Sequence, residues 1–144
     1  HLEELEAELI GKTTFIRFSS LNDYKNEHVI IVDSIGILLS LYAYAHVAYI
    51  GGSFKQNVHN VLEAAVYGIP VMYGPRHKNS QEAVRLAELG GGFVVEDTSS
   101  LHRTLLKLFE DEAARKRAGD IAASFVQQNV GATERFLKHL ENYL

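Results

Sequence analysis

The sequence contains no cysteine. That removes disulfides, thiolate metal sites and cysteine nucleophiles together. It also lacks any apolar run near the roughly 20 residues that a helix needs to cross a bilayer. The longest apolar stretch, residues 35–50, is broken by Gly36, Ser40 and His46. No secretory signal pattern is visible. Positive charge is not in excess, since 14 Lys and Arg against 18 Asp and Glu leave a formal net charge of -4. Nucleic acid is thereby excluded as a main partner, because binding a phosphate backbone requires a basic surface. The signatures of several enzyme classes are missing as well. There is no GxxxxGK[ST] phosphate loop and no GxGxxG opening a helix. There is no GxSxG nucleophile elbow. The seven histidines show no HExxH or comparable spacing, so no metal site is expected. The single methionine is Met72, and the chain opens His1-Leu2-Glu3, so it reads as a portion of a longer protein.

What is present is a chain of 144 residues with 47% hydrophobic and 22% charged residues, the make-up of a globular domain with a real core. Strand-like and helix-like segments alternate along it. Residues 2–10 read as a helix closed by Gly11, and residues 13–18 as a strand. Residues 29–32 and 46–50 are short continuous apolar runs, as expected for strands buried on both faces of a parallel sheet. A helix to about residue 45 separates them. The next helix is expected over residues 58–67, with Val58, Val61, Leu62, Ala65 and Val66 inward and Gly68 as its stop. Residues 70–73 read as a strand. Asn79 and Glu82 have capping-box spacing and open a helix that ends at Gly90. Residues 92–95 read as the last strand and residues 98–109 as a helix, with Leu101, Leu105 and Leu108 inward. Asp111 caps a further helix, whose run Arg115-Lys116-Arg117 reads as a solvated face. Residues 133–143 read as a terminal helix. The alternation predicts an α/β, Rossmann-like parallel sheet with helices on both faces.

Ligands of such sheets bind beyond the carboxyl ends of the strands. Those positions here hold Asp33-Ser34-Ile35-Gly36, Gly51-Gly52-Ser53, Asn57-Val58-His59-Asn60 and Gly74-Pro75-Arg76-His77-Lys78-Asn79. Gly51 and Gly52 permit close approach to the backbone, and serve equally well as an ordinary strand-to-helix turn. His59, Asn60 and Glu63 share one side of the expected helix, the first two in its opening turn. Free amides and the helix dipole favour an anion there, and Glu63 suits a pair of ribose hydroxyls. The same spacing also fits a capped, solvated face. Arg76, His77 and Lys78 suit a phosphate or a carboxylate, or plain solvent.

Taken in order, these blocks resemble the donor domain of Kdo (3-deoxy-D-manno-octulosonic acid) transferases. The similarity is carried by Asp33-Ser34-Ile35-Gly36, by the stretch from Leu41 through Tyr49-Ile50-Gly51-Gly52-Ser53-Phe54, by His59-Asn60-Val61-Leu62-Glu63-Ala64-Ala65, and by Gly68-Ile69-Pro70-Val71-Met72-Tyr73-Gly74-Pro75. Gly90-Gly91-Gly92 and Asn129-Val130-Gly131-Ala132 are similar to later blocks. The family often has Gly-Gly before His-Asn where this chain has Asn57-Val58. A proline often follows the glutamate where this chain has Ala64, and an aromatic often precedes the Glu82 block where it has Ser80.

The resemblance implies that residues 1–144 form one nucleotide-sugar-binding domain, the C-terminal part of a two-domain GT-B glycosyltransferase. It implies a metal-independent enzyme without a cofactor that transfers Kdo from CMP-Kdo to a lipid A precursor in lipopolysaccharide biosynthesis. It implies that Gly52, Ser53, His59 and Asn60 line the phosphate region and that Glu63 holds the ribose. Ser34, Ile35 and Gly36 would border the cytosine, and Gly74, Lys78, Asn79 and Glu82 would lie toward the sugar. The family's acid–base residue, acceptor site and membrane association belong to the N-terminal part, at the cytoplasmic face of the bacterial inner membrane. No catalytic residue is therefore expected in this chain. A transferase of the same architecture using a UDP- or GDP-sugar is the alternative reading.

Overall fold

A computed structural model describes residues 2–130. The expected terminal helix over residues 133–143 lies outside the described residues. The chain divides into two compact units, His1–Leu38 and Leu39–Leu144.

The first unit contains helix α1 (Leu2–Leu9), strand β1 (Phe15–Arg17), a 3-10 segment (Phe18–Asp23) and strand β2 (Val29–Ile31). Strands β1 and β2 pair in parallel, with Ile16 opposite Ile30. A bidentate ion pair ties α1 to β1: Arg17 Nε and Nη2 donate to the two Glu6 carboxylate oxygens at 2.6 and 2.7 Å. The expectation that residues 29–32 are buried on both faces is corrected. Ile31 is buried, whereas Ile30 is 45% and Val32 38% exposed. A continuous apolar run does not specify two covered faces; that depends on what other segments place there.

The second unit carries α2 (Leu38–Tyr42, beginning at the boundary), β3 (Ala48–Ile50), α3 (Leu62–Ala65), β4 (Val71–Tyr73), α4 (Gln81–Leu89), β5 (Gly92–Val94), α5 (Thr98–Glu110) and α6 (Glu112–Asn129). Its sheet runs β3-β4-β5, all parallel. The described residues thus form two parallel sheets, of two and three strands, instead of the single sheet the alternation predicted. The α/β, Rossmann-like class is as predicted.

Strand β4 shows how the layers form. It is buried on both faces, and its side chains alternate between two clusters. Val71 and Tyr73 pack with Val61, Ala64 and Ala65 of the α3 segment, Ala83 and Leu86 of α4, and Ala122 of α6. Met72 faces the other way, onto Val95 and Leu108, with Leu101 and Leu105 of α5 around them. Helices therefore cover both faces of this sheet, and Leu101, Leu105 and Leu108 point inward as their spacing requires. Each fully buried side chain of this size contributes about 1.5–3 kcal/mol. Strand β3 is less covered than expected: Ala48 and Ile50 are buried, but Tyr49 between them is 46% exposed.

Local signals set most helix ends. Gly90 takes a left-handed φ of 92° and closes α4. Asp111 Oδ1 accepts from Ala114 N at 2.8 Å and opens α6. Two helix expectations need correction. The helix expected over residues 58–67 is a single turn, Leu62–Ala65, and Val66 is exposed rather than inward. Residues 52–60 are instead held as a loop by bonds such as Gln56 N to Gly52 O at 2.8 Å and Val58 N to Arg76 O at 3.1 Å. The cap of α4 is Ser80, not Asn79: Ser80 Oγ accepts from Ala83 N at 3.1 Å. Arg115 is also not a purely solvated residue. Its Nη1 donates to Leu108 O at 3.0 Å and so satisfies a terminal carbonyl of α5.

Tyr73 is fully buried and its hydroxyl donates to Ala83 O at 2.5 Å. Burial pushes the hydroxyl up to about 12. An unfolded tyrosine ionises near about 10. The stabilisation from keeping Tyr73 neutral is therefore full below about pH 10 and is lost as pH rises through about 12. Urea midpoints measured between pH 8 and 12 should fall more steeply for the wild type than for Tyr73→Phe. Parallel curves would show that Tyr73 does not titrate from a buried state.

Candidate functional site

The strands of the second unit are parallel, so the segments after β3, β4 and β5 leave one edge of its sheet. The loop after β3 folds back and is fastened to the loop after β4. Ser53 is completely buried, and its Oγ accepts from Gly74 N at 2.6 Å. Arg76 N donates to Ser53 O at 2.9 Å, and Arg76 Nη1 donates to Lys55 O at 2.8 Å. The Phe54 ring covers Gly74 so closely that a methyl there would fall 2.9 Å from it. The His77 ring tilts over Tyr73, centroids 5.4 Å apart, and its Nδ1 lies 3.3 Å from Gly74 O.

Gly52 has a φ of 92°, in the region that favours glycine. A methyl at Gly52 would fall 2.7 Å from His59 Cδ2 and 2.8 Å from His59 Nε2. Such a methyl would also overlap the Asn57 carbonyl oxygen, so the missing Cβ makes room for that carbonyl as well as for the imidazole that rests against the glycine. His59 N donates to Gly51 O at 3.2 Å and fixes the backbone beneath the ring.

Beyond this loop lies a cleft of about 290 Å³, lined by Val58, His59, Asn60, Val61, Leu62, Ser80 and Glu82. Asn60 Oδ1 accepts from Leu62 N at 3.0 Å and caps the one-turn α3, while its Nδ2 donates to Glu63 Oε1 at 3.1 Å. Glu63 is half-buried, beside Tyr42. Burial first, and the Glu63 charge second, raise the Tyr42 hydroxyl above its ordinary value. In the same lining, Ser80 Oγ donates to Glu82 Oε2 at 3.0 Å. The lining thus offers an imidazole, an amide and a carboxylate. That set suits a ligand bearing both an anionic group and hydroxyls.

Of the predicted site residues, His59, Asn60 and Glu82 meet at this cleft, and Glu63 adjoins it through Asn60. Gly52 lies beneath His59. The Ser53 side chain is turned inside and bound to Gly74, so it stiffens the wall and does not line the cleft. Gly74 is buried under Phe54. Lys78 and Asn79 are exposed in the turn before α4 and are not among the lining residues. His59 and Asn60 precede α3 instead of forming its first turn, and a four-residue helix sums few peptide dipoles. His59 and Asn60 are accordingly presented by a loop and not by a helix terminus. Ser34, Ile35 and Gly36 form an exposed loop of the first unit, with Ile35 fully exposed and Gly36 at a φ of 89°. The neighbouring Asp33 carboxylate accepts from Ser19 Oγ at 2.6 Å and from Ser19 N at 3.0 Å, which holds it below the usual aspartate range.

Sequence reasoning missed Ser80 as a site residue. The only signal was its position two before Glu82, which is the spacing of a side-chain bond across a helix cap.

No protein-family model matches the chain. The 3-deoxy-D-manno-octulosonic acid transferase of Haemophilus influenzae is 36% identical over 138 residues, covering 92% of this chain and 32% of that protein. The transferase of the same name from Chlamydia muridarum is 35% identical over 143 residues, again covering 92% of this chain and 32% of the relative. That of Aquifex aeolicus is 42% identical over 82 residues, 56% of this chain and 23% of the relative. Among solved structures, the C-terminal CMP-Kdo binding domain of WaaA from Acinetobacter baumannii matches with a TM-score of 0.77 and 24% identity. It covers 87% of this chain and 67% of that one. The likeness to that domain establishes the fold. The chain spans about a third of the length of the first two curated relatives, and by its likeness to them it belongs to the 3-deoxy-D-manno-octulosonic acid transferase family.

Proposed function

We propose that this chain binds CMP-Kdo and forms the donor-binding part of an enzyme that transfers Kdo to a lipid A precursor in lipopolysaccharide biosynthesis. The observation that carries this reading is the 36% identity over 92% of the chain to a Kdo transferase. The cleft agrees with it chemically. His59 and the backbone of the loop after β3 are assigned to the phosphate, with Gly52 seating the imidazole. Glu63, oriented by Asn60, is assigned to the ribose hydroxyls. Glu82 is assigned to the sugar, with Lys78 and Asn79 nearby in sequence, and the loop Ser34-Ile35-Gly36 to the cytosine. Transfer is by direct displacement with inversion at the anomeric carbon, and CMP is the leaving group. Groups already fixed in place stabilise the charge on the departing phosphate without reorganising as it develops. The acceptor site and the base are supplied by the rest of the protein, at the cytoplasmic face of the inner membrane. No described helix is long and apolar enough to cross a membrane.

Calorimetric titration with CMP, UMP and GMP tests the reading. CMP is expected to bind selectively, and Glu63→Ala to weaken it about tenfold, since hydrogen bonds to a charged group are worth about 1.5–3 kcal/mol. Preference for UMP or GMP would move the function to another nucleotide-sugar transferase. Failure to bind any of the three would overturn the assignment of a donor site to this chain.

A further inference from the structure

Ser80 occupies two hydrogen bonds at once. Its Oγ accepts from Ala83 N at 3.1 Å, which caps α4, and donates to Glu82 Oε2 at 3.0 Å. Both Ser80 and Glu82 line the cleft that also holds His59 and Asn60. The capping bond uses the lone pairs of the hydroxyl and the second uses its proton, so the two roles do not compete. A glutamate in the first turn on the exposed face of a helix has several rotamers, and an unassisted carboxylate there is spread among them. One bond from a side chain that is itself fixed by the helix cap selects the rotamer in which Glu82 borders the cleft. Glu82 has lone pairs left over on both oxygens after accepting this bond, and these can accept ligand hydroxyls.

We infer that Ser80 is a positioning residue that holds the Glu82 carboxylate ready for the hydroxyls of the transferred sugar. The inference rests on the reading of this cleft as the CMP-Kdo site. Its chemistry is specific: the group served is a polyol, because a carboxylate pre-set at this place repels a phosphate and accepts from hydroxyls.

The two functions of Ser80 separate by substitution. Ser80→Thr keeps both the acceptor and the proton. Ser80→Asp keeps the cap, which aspartate supplies as well as serine does. It removes the proton and sets a second negative charge beside Glu82. Ser80→Ala loses both. Equilibrium titrations would use CMP-Kdo generated in situ and, separately, CMP, with thermal melting of each variant alongside. Expected for Ser80→Asp is a loss of CMP-Kdo affinity about tenfold greater than any loss of CMP affinity, with the melting temperature near wild type. Ser80→Thr should match wild type in all three, and Glu82→Ala should lose CMP-Kdo affinity as Ser80→Asp does.

Equal weakening of CMP and CMP-Kdo, in step with a lowered melting temperature, would reduce Ser80 to a helix cap and overturn the inference. So would wild-type CMP-Kdo affinity in Ser80→Asp while Glu82→Ala is weakened. A wild type that binds neither CMP nor CMP-Kdo would instead overturn the donor-site reading itself.

Discussion

Gly119→Ala is expected to destabilise the protein by about 2 kcal/mol, although alanine is the better helix former. Gly119 is buried in the interior of α6. In an exposed helix interior the change would stabilise by about 1 kcal/mol. Here α6 lies against the turn after α3. A methyl on Gly119 would overlap the carbonyl oxygen of Gly68 and fall 2.8 Å from its carbonyl carbon and 3.4 Å from the Ile69 Cα. All three are backbone atoms, so no rotamer change can make room. The helix must move away from the loop, and Ala122, one turn further on and fully buried against the β4 cluster, moves with it. Overpacking costs about 1–3 kcal/mol and occasionally more, and with rigid backbone in the way the upper end applies, which leaves a net loss of about 2 kcal/mol after the propensity gain of about 1. A melting temperature lower by roughly 4–8 °C should result. Gly51→Ala is the control, because nothing lies within 4 Å of a methyl there and its backbone is not left-handed. A Gly119→Ala protein as stable as wild type would mean that α6 does not seat on Gly68.

Ser53→Ala is expected to cost about 2 kcal/mol, the second largest effect, and to weaken CMP binding as well. Ser53 is the one fully buried polar residue in the described core. Its hydroxyl is the partner of Gly74 N, at 2.6 Å, in a position without access to solvent. Alanine leaves that amide unpaired, and an unsatisfied buried donor costs about 1–3 kcal/mol. The same bond joins the loop after β3 to the loop after β4, and the first of these carries Gly52 and the seat of His59. Loosening it frees the imidazole, so CMP affinity should fall several-fold even though Ser53 does not line the cleft. Denaturant unfolding and calorimetry on the same variant measure the two effects. A stability loss without any change in affinity would separate the loop clamp from the cleft.

Much of the local structure was readable one segment at a time. Gly90, Asp111 and the leucines at 101, 105 and 108 act through their own helices, so spacing alone identifies them. The stretch after β3 was misread for a physical reason. Val58, Val61 and Ala65 are all buried, which satisfies a helical period, yet only Ala65 lies within α3 and Val58 reaches its position from the loop before it. Burial of a set of side chains does not require that one helix deliver them, and the bond from Val58 N to Arg76 O comes from a segment remote in sequence. The apolar run at residues 29–32 failed similarly, since periodicity registers hydrophobicity and not what covers it.

The sequence by itself determined the alternation of strands and helices, the ends of α4 and α6, and the order of blocks that marks the transferase family. Those properties are local, or are carried by residue identity at fixed spacing. Only the tertiary structure decided which polar residues of the rim face the cleft. It turned Ser53 inward to Gly74, set His59 on Gly52, left Lys78 and Asn79 in an exposed turn, and brought Ser80 and Glu82 to the same cleft as Asn60. Each of these depends on a partner from another loop, and a hydroxyl or an imidazole has no periodicity that announces the partner it will meet.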